Sequence, residues 1–420
     1  MQLKEDYIRN NLEYKDNILH LNGINLREVA GEFGTPLYVY DMKGIKENCI
    51  NYQKAFDDIE HIICYAVKAN YNGAIIKLLA SMGTGADVVS GGELQMALRA
   101  GIDPSKIVFA GVGKTEDEIR LALENDICLI NVESRQELEA VGRIAADMKK
   151  TAGIAFRVNP DIDPKTHPKI ATGLKESKFG IPAGTALEVY EEASKMEYVE
   201  IRGIHLHIGS QITDMEPFRL AAESAVEFTD KLKEKGIKIK YIDIGGGLGI
   251  GYESREVPVP ENIAECIRKF FAGREEILIM EPGRSIVGNA GYLLTKVNYV
   301  KEGDNKSFVV VDAGFNDLIR PAMYGAYHSI LPVEDSDESI VADIVGPVCE
   351  SGDVMAANRK IKGARQGNIL AICDSGAYGF SMSSNYNSRL RPAEVIVSEE
   401  GVKLVRRREK FEDLIRTENE

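Results

Sequence analysis

A (β/α)8 TIM-like barrel followed by a C-terminal antiparallel β-sandwich or Greek-key domain is the α/β fold that the sequence predicts. Eight apolar, strand-like runs recur, at 62–68, 86–90, 106–111, 127–132, 153–158, 201–208, 239–244 and 276–281. Segments with helical periodicity separate them, and eight such units over about 250 residues are typical of this barrel. After Arg284 the pattern changes to short β-rich pieces divided by turn residues, which indicates a separate β domain.

The predicted barrel domain covers residues 36–284, and the predicted β domain covers residues 1–35 together with 285–420. The first 35 residues are too few to form a domain alone, so we expect them to join the β domain. A doubly wound open sheet is the alternative for the first part of the chain, although such a sheet rarely needs eight units.

The composition narrows the classes of function. The 51 basic and 65 acidic residues give a net charge of −14, which argues against nucleic acid or an anionic membrane as a partner. No apolar run reaches the roughly 18 residues of a membrane span, and residues 1–10 carry charges where a secretory signal would be apolar. Six scattered cysteines without a Cys-x-x-Cys pair favour reduced thiols in the cytoplasm over disulfides or a zinc site.

A lysine at the end of a buried strand is the first candidate for chemistry. Residues 62–67 are apolar and run directly into Lys68, and such a run is typical of a strand buried on both faces. Burial disfavours the charged form of a lysine and lowers its pKa, which suits a nucleophile that forms a Schiff base. The alternative is that Lys68 simply extends into water.

Polar and glycine residues also follow the other predicted strands. In a barrel the carboxyl ends of all strands meet at one face, and the catalytic residues of this fold lie there. We therefore expect a shared site among Lys68, Asp87, Ser90, Gly111, Asn131, Glu133, Arg157, Asn159, His207, Ser210, Gly245, Gly246, Gly247, Glu281, Gly283 and Arg284.

The glycine run at residues 245–247 predicts either an anion-binding loop or a plain turn. Consecutive glycines let backbone N–H groups approach an anion, and the loops after strands seven and eight are the usual phosphate site of this barrel. Neither a nucleotide P-loop nor a dinucleotide fingerprint is present. The phosphate of a smaller cofactor therefore fits this loop better.

Two histidines and a glutamate complete the candidate cofactor site. His205 and His207 lie two residues apart and thus on the same strand face. A metal pair is one interpretation, although no further ligand is spaced to complete it. One of the two histidines as a flat partner for an aromatic cofactor ring, with Ser210 nearby, is the other, and a core position for His205 is a further alternative. Glu281 follows an apolar run, and a buried carboxylate needs a partner, which either a protonated pyridine nitrogen or Arg284 would supply.

These motifs resemble those of the barrel-type pyridoxal-phosphate decarboxylases of basic amino acids. The resemblance covers essentially the whole chain. Its ordered motifs are YAVKAN (65–70), HLHIGSQ (205–211), GGG (245–247), EPGR (281–284) and CESGD (349–353), with NP (159–160), TGLK (172–175) and KFG (178–180) between them.

The resemblance implies that pyridoxal 5'-phosphate is the cofactor, that Lys68 binds it as a Schiff base, and that no metal is needed. It implies cofactor contacts from Lys68, Asp87, Arg157, His207, Ser210, Gly245, Gly246, Gly247, Glu281, Gly283, Arg284 and Tyr378. It implies substrate contacts from Arg284, Arg320, Tyr324, Glu350 and Tyr378, with Cys349 as the proton donor. Without this context Cys349 would be a small buried hydrophobe, and Arg320 a surface residue.

The activity implied is decarboxylation of meso-2,6-diaminopimelate to L-lysine and CO2, in a homodimer whose second subunit supplies Cys349 and Glu350. Two arginines suit the carboxylate that the product keeps, and a lysine or ornithine substrate would leave them unpaired. A glutamate at the ring nitrogen disfavours a racemase of similar fold. The alternatives are a decarboxylase of ornithine, arginine, lysine or carboxynorspermidine, and a non-catalytic carrier of the cofactor.

Overall fold

The computed structural model of the protein describes residues 11–164, 166–167, 170, 172, 178–252 and 257–418. Its strands in chain order are β1 (Leu12–Lys15), β2 (Ile18–Leu21), β3 (Ile24–Asn25), β4 (Leu37–Asp41), β5 (His61–Ala66), β6 (Gly85–Val88), β7 (Ile107–Phe109), β8 (Leu129–Val132), β9 (Ala152–Asn159), β10 (Ile181–Pro182), β11 (Val199–His205), β12 (Tyr241–Asp243), β13 (Ile277–Met280), β14 (Gly291–Lys301), β15 (Phe308–Val311), β16 (Ile330–Pro332), β17 (Ser339–Val345), β18 (Val354–Lys362), β19 (Ile369–Ile372), β20 (Ala393–Ser398) and β21 (Gly401–Arg406).

The helices in chain order are α1 (Leu26–Phe33), α2 (Met42–Ala55), α3 (Gly73–Ser81), α4 (Gly91–Ala100), α5 (Glu116–Glu124), α6 (Arg135–Met148), α7 (Ala183–Ala193), α8 (Glu216–Glu234), α9 (Pro260–Phe271), α10 (Arg284–Val287), α11 (Arg320–Tyr324) and α12 (Phe411–Ile415). Within the described ranges, no helix combines the length and the apolar character that crossing a membrane requires.

Internal contacts divide the chain into two compact units. The barrel unit consists of Asn48–Ile250 and Glu256–Ser285. The sheet unit consists of the described residues of Met1–Glu47, Gly251–Arg255 and Ile286–Glu420.

The barrel unit is a closed parallel barrel of eight strands. They are hydrogen-bonded in the order β5, β6, β7, β8, β9, β11, β12 and β13, and β13 returns to β5 where Leu278 pairs with His61. The eight-stranded barrel that the sequence predicts is thereby confirmed. In β9, seven of the eight residues are buried, as expected for a strand covered on both faces.

The helices between the barrel strands follow from capping and amphipathic spacing, as α6 shows. Ser134 precedes α6, and its side chain accepts a hydrogen bond from the backbone N–H of Glu137, which satisfies a donor that the helix leaves unpaired. Leu138, Val141 and Ile144 form the buried stripe of α6. Such helices return the chain to the start of each parallel strand, so all the strands end at one face.

The sheet unit is built on a mixed sheet with the order β18, β17, β15, β14, β4, β20 and β21. In addition, β19 pairs with β14, and β16 pairs with β19. Most neighbours are antiparallel, as predicted. β15 and β17, and also β4 and β20, instead pair in parallel. Parallel neighbours need long connections, which a pattern of short strands and turns does not reveal, so this domain is mixed rather than purely antiparallel.

The division between the units differs from the predicted boundary at residue 36. β4 (Leu37–Asp41) is buried at all five residues and pairs with β14 and β20 of the sheet unit. A strand buried on both faces has the same apolar pattern in a barrel and in a covered sheet. Only the pairing partners therefore show to which unit this strand belongs.

Candidate active site

The barrel unit brings most of the predicted site residues to the ends of its strands. Lys68 follows β5, Asp87 lies in β6, Arg157 lies in β9, His207 and Ser210 follow β11, Gly245, Gly246 and Gly247 follow β12, and Glu281, Gly283 and Arg284 follow β13. Because these strands run parallel, their carboxyl ends form one mouth of the barrel.

Lys68 forms an ion pair across two adjacent strands. β5 ends at Ala66, which pairs with Asp87, and Lys68 lies in the 3₁₀ turn that follows. The lysine Nζ donates to Asp87 Oδ2 over 2.5 Å; the lysine side chain is 34% exposed and the aspartate side chain is fully buried. Burial raises the pKa of Asp87, and the charge of Glu281 adds to the rise, whereas Lys68 opposes it. A buried carboxylate thus holds the amine at the barrel mouth.

A histidine and two carboxylates form a buried cluster at the same mouth. His205, Asp243 and Glu281 each offer one ligand atom, and these atoms lie within 4.8 Å of one another. His205 Nε2 is 3.5 Å from Glu281 Oε1, and His207 Nδ1 is 4.0 Å from Glu281 Oε2. The sequence shows no further ligand beside the two histidines, and folding supplies Asp243 and Glu281 from other strands. This cluster suits a cation or a protonated ring nitrogen.

The charges in this cluster are unequally distributed. Burial alone would raise the pKa of Glu281, but the nearby His205 and Lys68 outweigh it and lower that pKa. Burial and the charge of Glu281 raise the pKa of Asp243 well above its usual value. Burial is also the main reason that the pKa of His207 is held well below its usual value. Glu281 is therefore an anion and His207 a neutral ring.

Several buried polar atoms at the ends of the barrel strands lack a well-oriented hydrogen bond to any described residue. They are Glu281 Oε1, Asp87 Oδ1, both side-chain polar atoms of Asn131 and both ring nitrogens of His205. Such atoms are rare in folded proteins. Their concentration here indicates a bound group that brings its own donors and acceptors, as a substituted pyridinium ring does.

The glycine run forms a backbone loop without room for side chains. Gly247 has a φ of 115°, and a Cβ atom on Gly246 would lie 2.0 Å from the carbonyl oxygen of Glu281. The N–H of Gly246 is directed at His207 Nδ1, over 3.3 Å. Glycine is thus required by the packing of this loop, and such a bare loop can approach a phosphate closely.

Arg284 provides a cation at the barrel mouth. Its Nη2 atom donates to Ser210 Oγ over 3.1 Å, which joins the segment after β13 to the segment after β11. A guanidinium and a hydroxyl placed in this way are suited to the oxygens of a phosphate or a carboxylate.

Arg157 is held by a carboxylate and an aromatic ring. Its Nη1 atom lies 3.4 Å from Glu133 Oε1, and the other oxygen of Glu133 accepts the N–H of Gly180 over 2.9 Å. The guanidinium also lies 4.4 Å from the centroid of the Phe179 ring. Of the predicted TGLK motif at 172–175, residues 173–175 lie outside the described residues.

The sheet unit carries the remaining candidates, which are Arg320, Tyr324, Cys349, Glu350 and Tyr378. Arg320 and Tyr324 are the first and last residues of α11. Arg320 is 5% exposed, so it is not the surface residue that its local sequence would also allow. Tyr378 has a φ of 56°, a conformation that is uncommon for a bulky residue and marks a special position.

Cys349 and Glu350 are exposed in the loop between β17 and β18. Cys349 is the exposed member of the six free cysteines, so it is not a buried hydrophobe. The carboxylate of Asp353 holds this loop by accepting the N–H of Phe315 over 2.7 Å and that of Val348 over 2.8 Å. The loop thus presents the thiol outward from a fixed backbone.

Three residues at these sites were not predicted from the sequence, namely Asp243, Tyr252 and His328. Asp243 accepts the N–H of Gly245 over 2.8 Å, and an acid at a strand end was a signal that could have revealed it. Tyr252 and His328 both contact Arg320. No local pattern marks them: Tyr252 is distant from Arg320 in the sequence, and His328 lies eight residues after Arg320, beyond the end of α11.

The chain is similar to known proteins over nearly its whole length. The family described as "Pyridoxal-dependent decarboxylase, pyridoxal binding domain" matches residues 42–288. The chain is 52% identical over 417 residues to a diaminopimelate decarboxylase from Aquifex aeolicus, and the match covers 99% of each chain.

Solved structures are similar over the same length. A diaminopimelate decarboxylase from Methanocaldococcus jannaschii has a TM-score of 0.94 and 44% identity, with 98% of each chain covered. The Helicobacter pylori diaminopimelate decarboxylase, solved in complex with L-lysine, has a TM-score of 0.91 and 44% identity, with 94% of this chain and 99% of that chain covered.

Proposed function

The chain belongs to the pyridoxal-dependent decarboxylases, among the diaminopimelate decarboxylases, and on this basis we propose that it converts meso-2,6-diaminopimelate to L-lysine and CO2 in lysine biosynthesis. The observation that carries the proposal is the set of groups at one barrel mouth. An amine (Lys68), an ionised buried carboxylate (Glu281) and a neutral imidazole (His207) meet there.

These groups match the demands of pyridoxal 5'-phosphate, the cofactor of the family. Lys68 supplies the amine for covalent attachment, and His207 offers a flat, uncharged ring. Glu281 Oε1, which makes no well-oriented hydrogen bond to a described residue, suits the protonated ring nitrogen. Ser210, Gly245, Gly246, Gly247, Gly283 and Arg284 would hold its phosphate, and Asp87, Arg157 and Tyr378 would make further contacts with the cofactor.

Bound pyridoxal phosphate supplies an electron-withdrawing ring that accepts the electron pair released when CO2 departs. The protein contributes the charges that favour this chemistry. Glu281 stays ionised because its pKa is lowered, so it stabilises a positive charge on the ring nitrogen. Asp87 orients the amine of Lys68, and buried surroundings strengthen both interactions.

Recognition of a two-ended substrate is assigned to Arg284, Arg320, Tyr324, Glu350 and Tyr378. The planar fork of an arginine binds the carboxylate that the product keeps, and the carboxylate of Glu350 pairs with the distal ammonium group. Cys349 donates the proton that replaces the lost carboxyl group. We assign cofactor binding to the barrel unit, and the catalytic and substrate contacts other than that of Arg284 to the sheet unit.

A homodimer with shared active sites accounts for the exposure of Cys349. A proton donor acts best where water is excluded, yet Cys349 and Glu350 are both exposed in the single chain. Burial of this loop against a second copy would exclude water. The six free cysteines are consistent with work in the reducing cytoplasm. We propose a small-molecule amino acid as the ligand, and neither nucleic acid nor a membrane as partner, because the net charge is −14.

Steady-state decarboxylation assays test the substrate. We expect meso-diaminopimelate to have a far higher kcat/KM than ornithine, arginine, lysine or carboxynorspermidine, because each of these would leave an arginine without its carboxylate. A preference for one of them would refute the substrate assignment. Absence of turnover on every acid, with cofactor bound, would favour a carrier.

A further inference from the structure

A buried histidine contacts one of the proposed substrate-binding arginines. Arg320 Nη1 lies 2.8 Å from His328 Nε2, and His328 Nδ1 lies 2.8 Å from the carbonyl oxygen of Cys373. His328 is fully buried. The ring of Tyr252 packs against both side chains, with its centroid 4.5 Å from Arg320 Cζ and 5.3 Å from the centre of the imidazole.

The chemistry of the neighbours determines the protonation of His328. A carbonyl oxygen only accepts hydrogen bonds and a guanidinium only donates them. Nδ1 of His328 therefore carries the hydrogen and donates to Cys373, whereas Nε2 presents its lone pair to Arg320. The imidazole is neutral and held in one tautomer, so it can act as a fixed acceptor for the arginine.

We infer that His328 is a positioning residue for recognition of the carboxylate that the product keeps. Its Nε2 lone pair and the face of Tyr252 together fix the rotation and the plane of the Arg320 guanidinium. An arginine that is already oriented loses less side-chain entropy when it binds a carboxylate through two hydrogen bonds. This inference rests on the proposed role of Arg320 at that carboxylate.

The consequence is selective for ligands that contain the carboxylate. L-Lysine, the product, keeps it, whereas cadaverine has the same chain and both amines without it. Loss of the contact from His328 should therefore weaken the binding of L-lysine and meso-diaminopimelate and leave the binding of cadaverine unchanged. A general loss of structure would weaken the binding of all three molecules.

Two amide substitutions separate the two hydrogen bonds of His328. The amide of glutamine reaches about as far as Nε2 and can accept from Arg320, whereas the amide of asparagine reaches about as far as Nδ1 and can donate to Cys373. For His328→Gln we expect the KM for meso-diaminopimelate and the inhibition constant of L-lysine to stay within about threefold of their values in the unsubstituted enzyme. For His328→Asn we expect both to rise about tenfold, with the inhibition constant of cadaverine unchanged.

The reverse order would overturn the inference. If His328 served only to satisfy the carbonyl of Cys373, asparagine would be the better substitute and glutamine the worse. Tyr14→Phe is the matched control, because it removes a 2.6 Å hydrogen bond to the carbonyl oxygen of Pro332 in the same unit. We expect it to leave all three constants unchanged.

Arg320→Met distinguishes failure of this inference from failure of the proposed function. If Arg320→Met leaves the preference for L-lysine over cadaverine intact, the arginine does not bind the carboxylate, and both the assignment and the inference fall. If Arg320→Met removes the preference while His328→Asn keeps it, the inference alone is overturned.

Discussion

The amine of Lys68 lies 2.5 Å from a carboxylate oxygen of Asp87, at the carboxyl ends of two neighbouring barrel strands. Asp87 is fully buried, and a buried charge without a partner is strongly destabilising. The pair therefore fixes the position of the amine and compensates the carboxylate at once. The position of the amine and the compensation of the carboxylate charge both depend on the register between β5 and β6.

Asp87→Asn tests the value of this pair. The substitution keeps the volume and removes the charge, so Lys68 loses the group that orients it. We expect affinity for pyridoxal phosphate and kcat each to fall about tenfold or more. Titration of the apoenzyme with cofactor, followed by visible absorbance, gives the affinity. An unchanged titration curve and kcat would show that Asp87 has no such role.

Asp126→Asn is the control for that experiment. Asp126 pairs with Lys150 over 3.0 Å in the same unit, but its side chain is 79% exposed. Exposed ion pairs contribute little, so we expect no change in cofactor affinity or kcat.

Cys349→Ala should separate turnover from cofactor binding. General acid catalysis typically contributes about a hundredfold or more, so we expect kcat to fall by at least that factor with the cofactor absorbance retained. Cys266→Ala, which removes the partly buried thiol of the barrel unit, should keep full activity. Full activity in Cys349→Ala would remove its assignment as proton donor.

Asp353→Asn should impair the same step through the backbone of the loop. Its carboxylate accepts two N–H groups, from Phe315 and Val348, and an amide that also donates cannot accept both equally well. We expect kcat to fall about tenfold, unchanged cofactor absorbance and an altered rate of Cys349 alkylation.

Asp343→Asn provides the comparison for Asp353. Asp343 also accepts a backbone N–H, that of Asn358 over 2.8 Å, within the same unit. We expect normal kcat and normal alkylation of Cys349 in Asp343→Asn. Equal effects of the two substitutions would mean that Asp353 acts only through general stability.

Glu93 predicts a pH dependence of stability. Burial is the main cause that raises its pKa to about 7, so the folded protein binds this proton more tightly than the unfolded chain does. Stability should therefore fall as pH rises from the usual carboxyl pKa to about 7. Glu93→Gln keeps an acceptor for the N–H of Val89 and should reduce this fall by at most about 3 kcal/mol.

Thermal unfolding at about pH 5 and about pH 8 measures the effect of Glu93. Glu118→Gln is the control: burial alone would raise the pKa of Glu118, but N–H donors from Thr115 and Gly91 outweigh it and lower that pKa. Its titration lies below this pH window, so its slope should match that of the unsubstituted protein. If the stability of Glu93→Gln fell with pH as steeply as that of the unsubstituted protein, the prediction would be contradicted.

The barrel and the groups at its mouth were predictable because their signals are local. Lys68, His207 and Glu281 each follow an apolar run within a few residues, and parallel strands bring such ends together whatever the details of packing. Strand β4 was not predictable in this way. Its five buried residues suit either unit, and its neighbours β14 and β20 lie far away in the sequence.

The surroundings of Arg320 were also not predictable from the sequence. Tyr252 contacts this arginine from a distant part of the chain, and His328 contacts it from eight residues further along, past the end of α11. Neither residue belongs to a pattern with a chemical meaning of its own. The cluster of His205 with Asp243 and Glu281 was predictable only in part. Glu281 was expected at the site, whereas the close approach of the three side chains depends on the strands that folding brings together.

Reduction of the holoenzyme with borohydride, followed by mass spectrometry of its peptides, tests most directly whether Lys68 bears the cofactor. Reduction makes the bond between the amine and pyridoxal phosphate permanent. We expect the added mass on the peptide that contains Lys68 and on no other lysine. Added mass on a different lysine, or an active enzyme without any, would contradict the assignment.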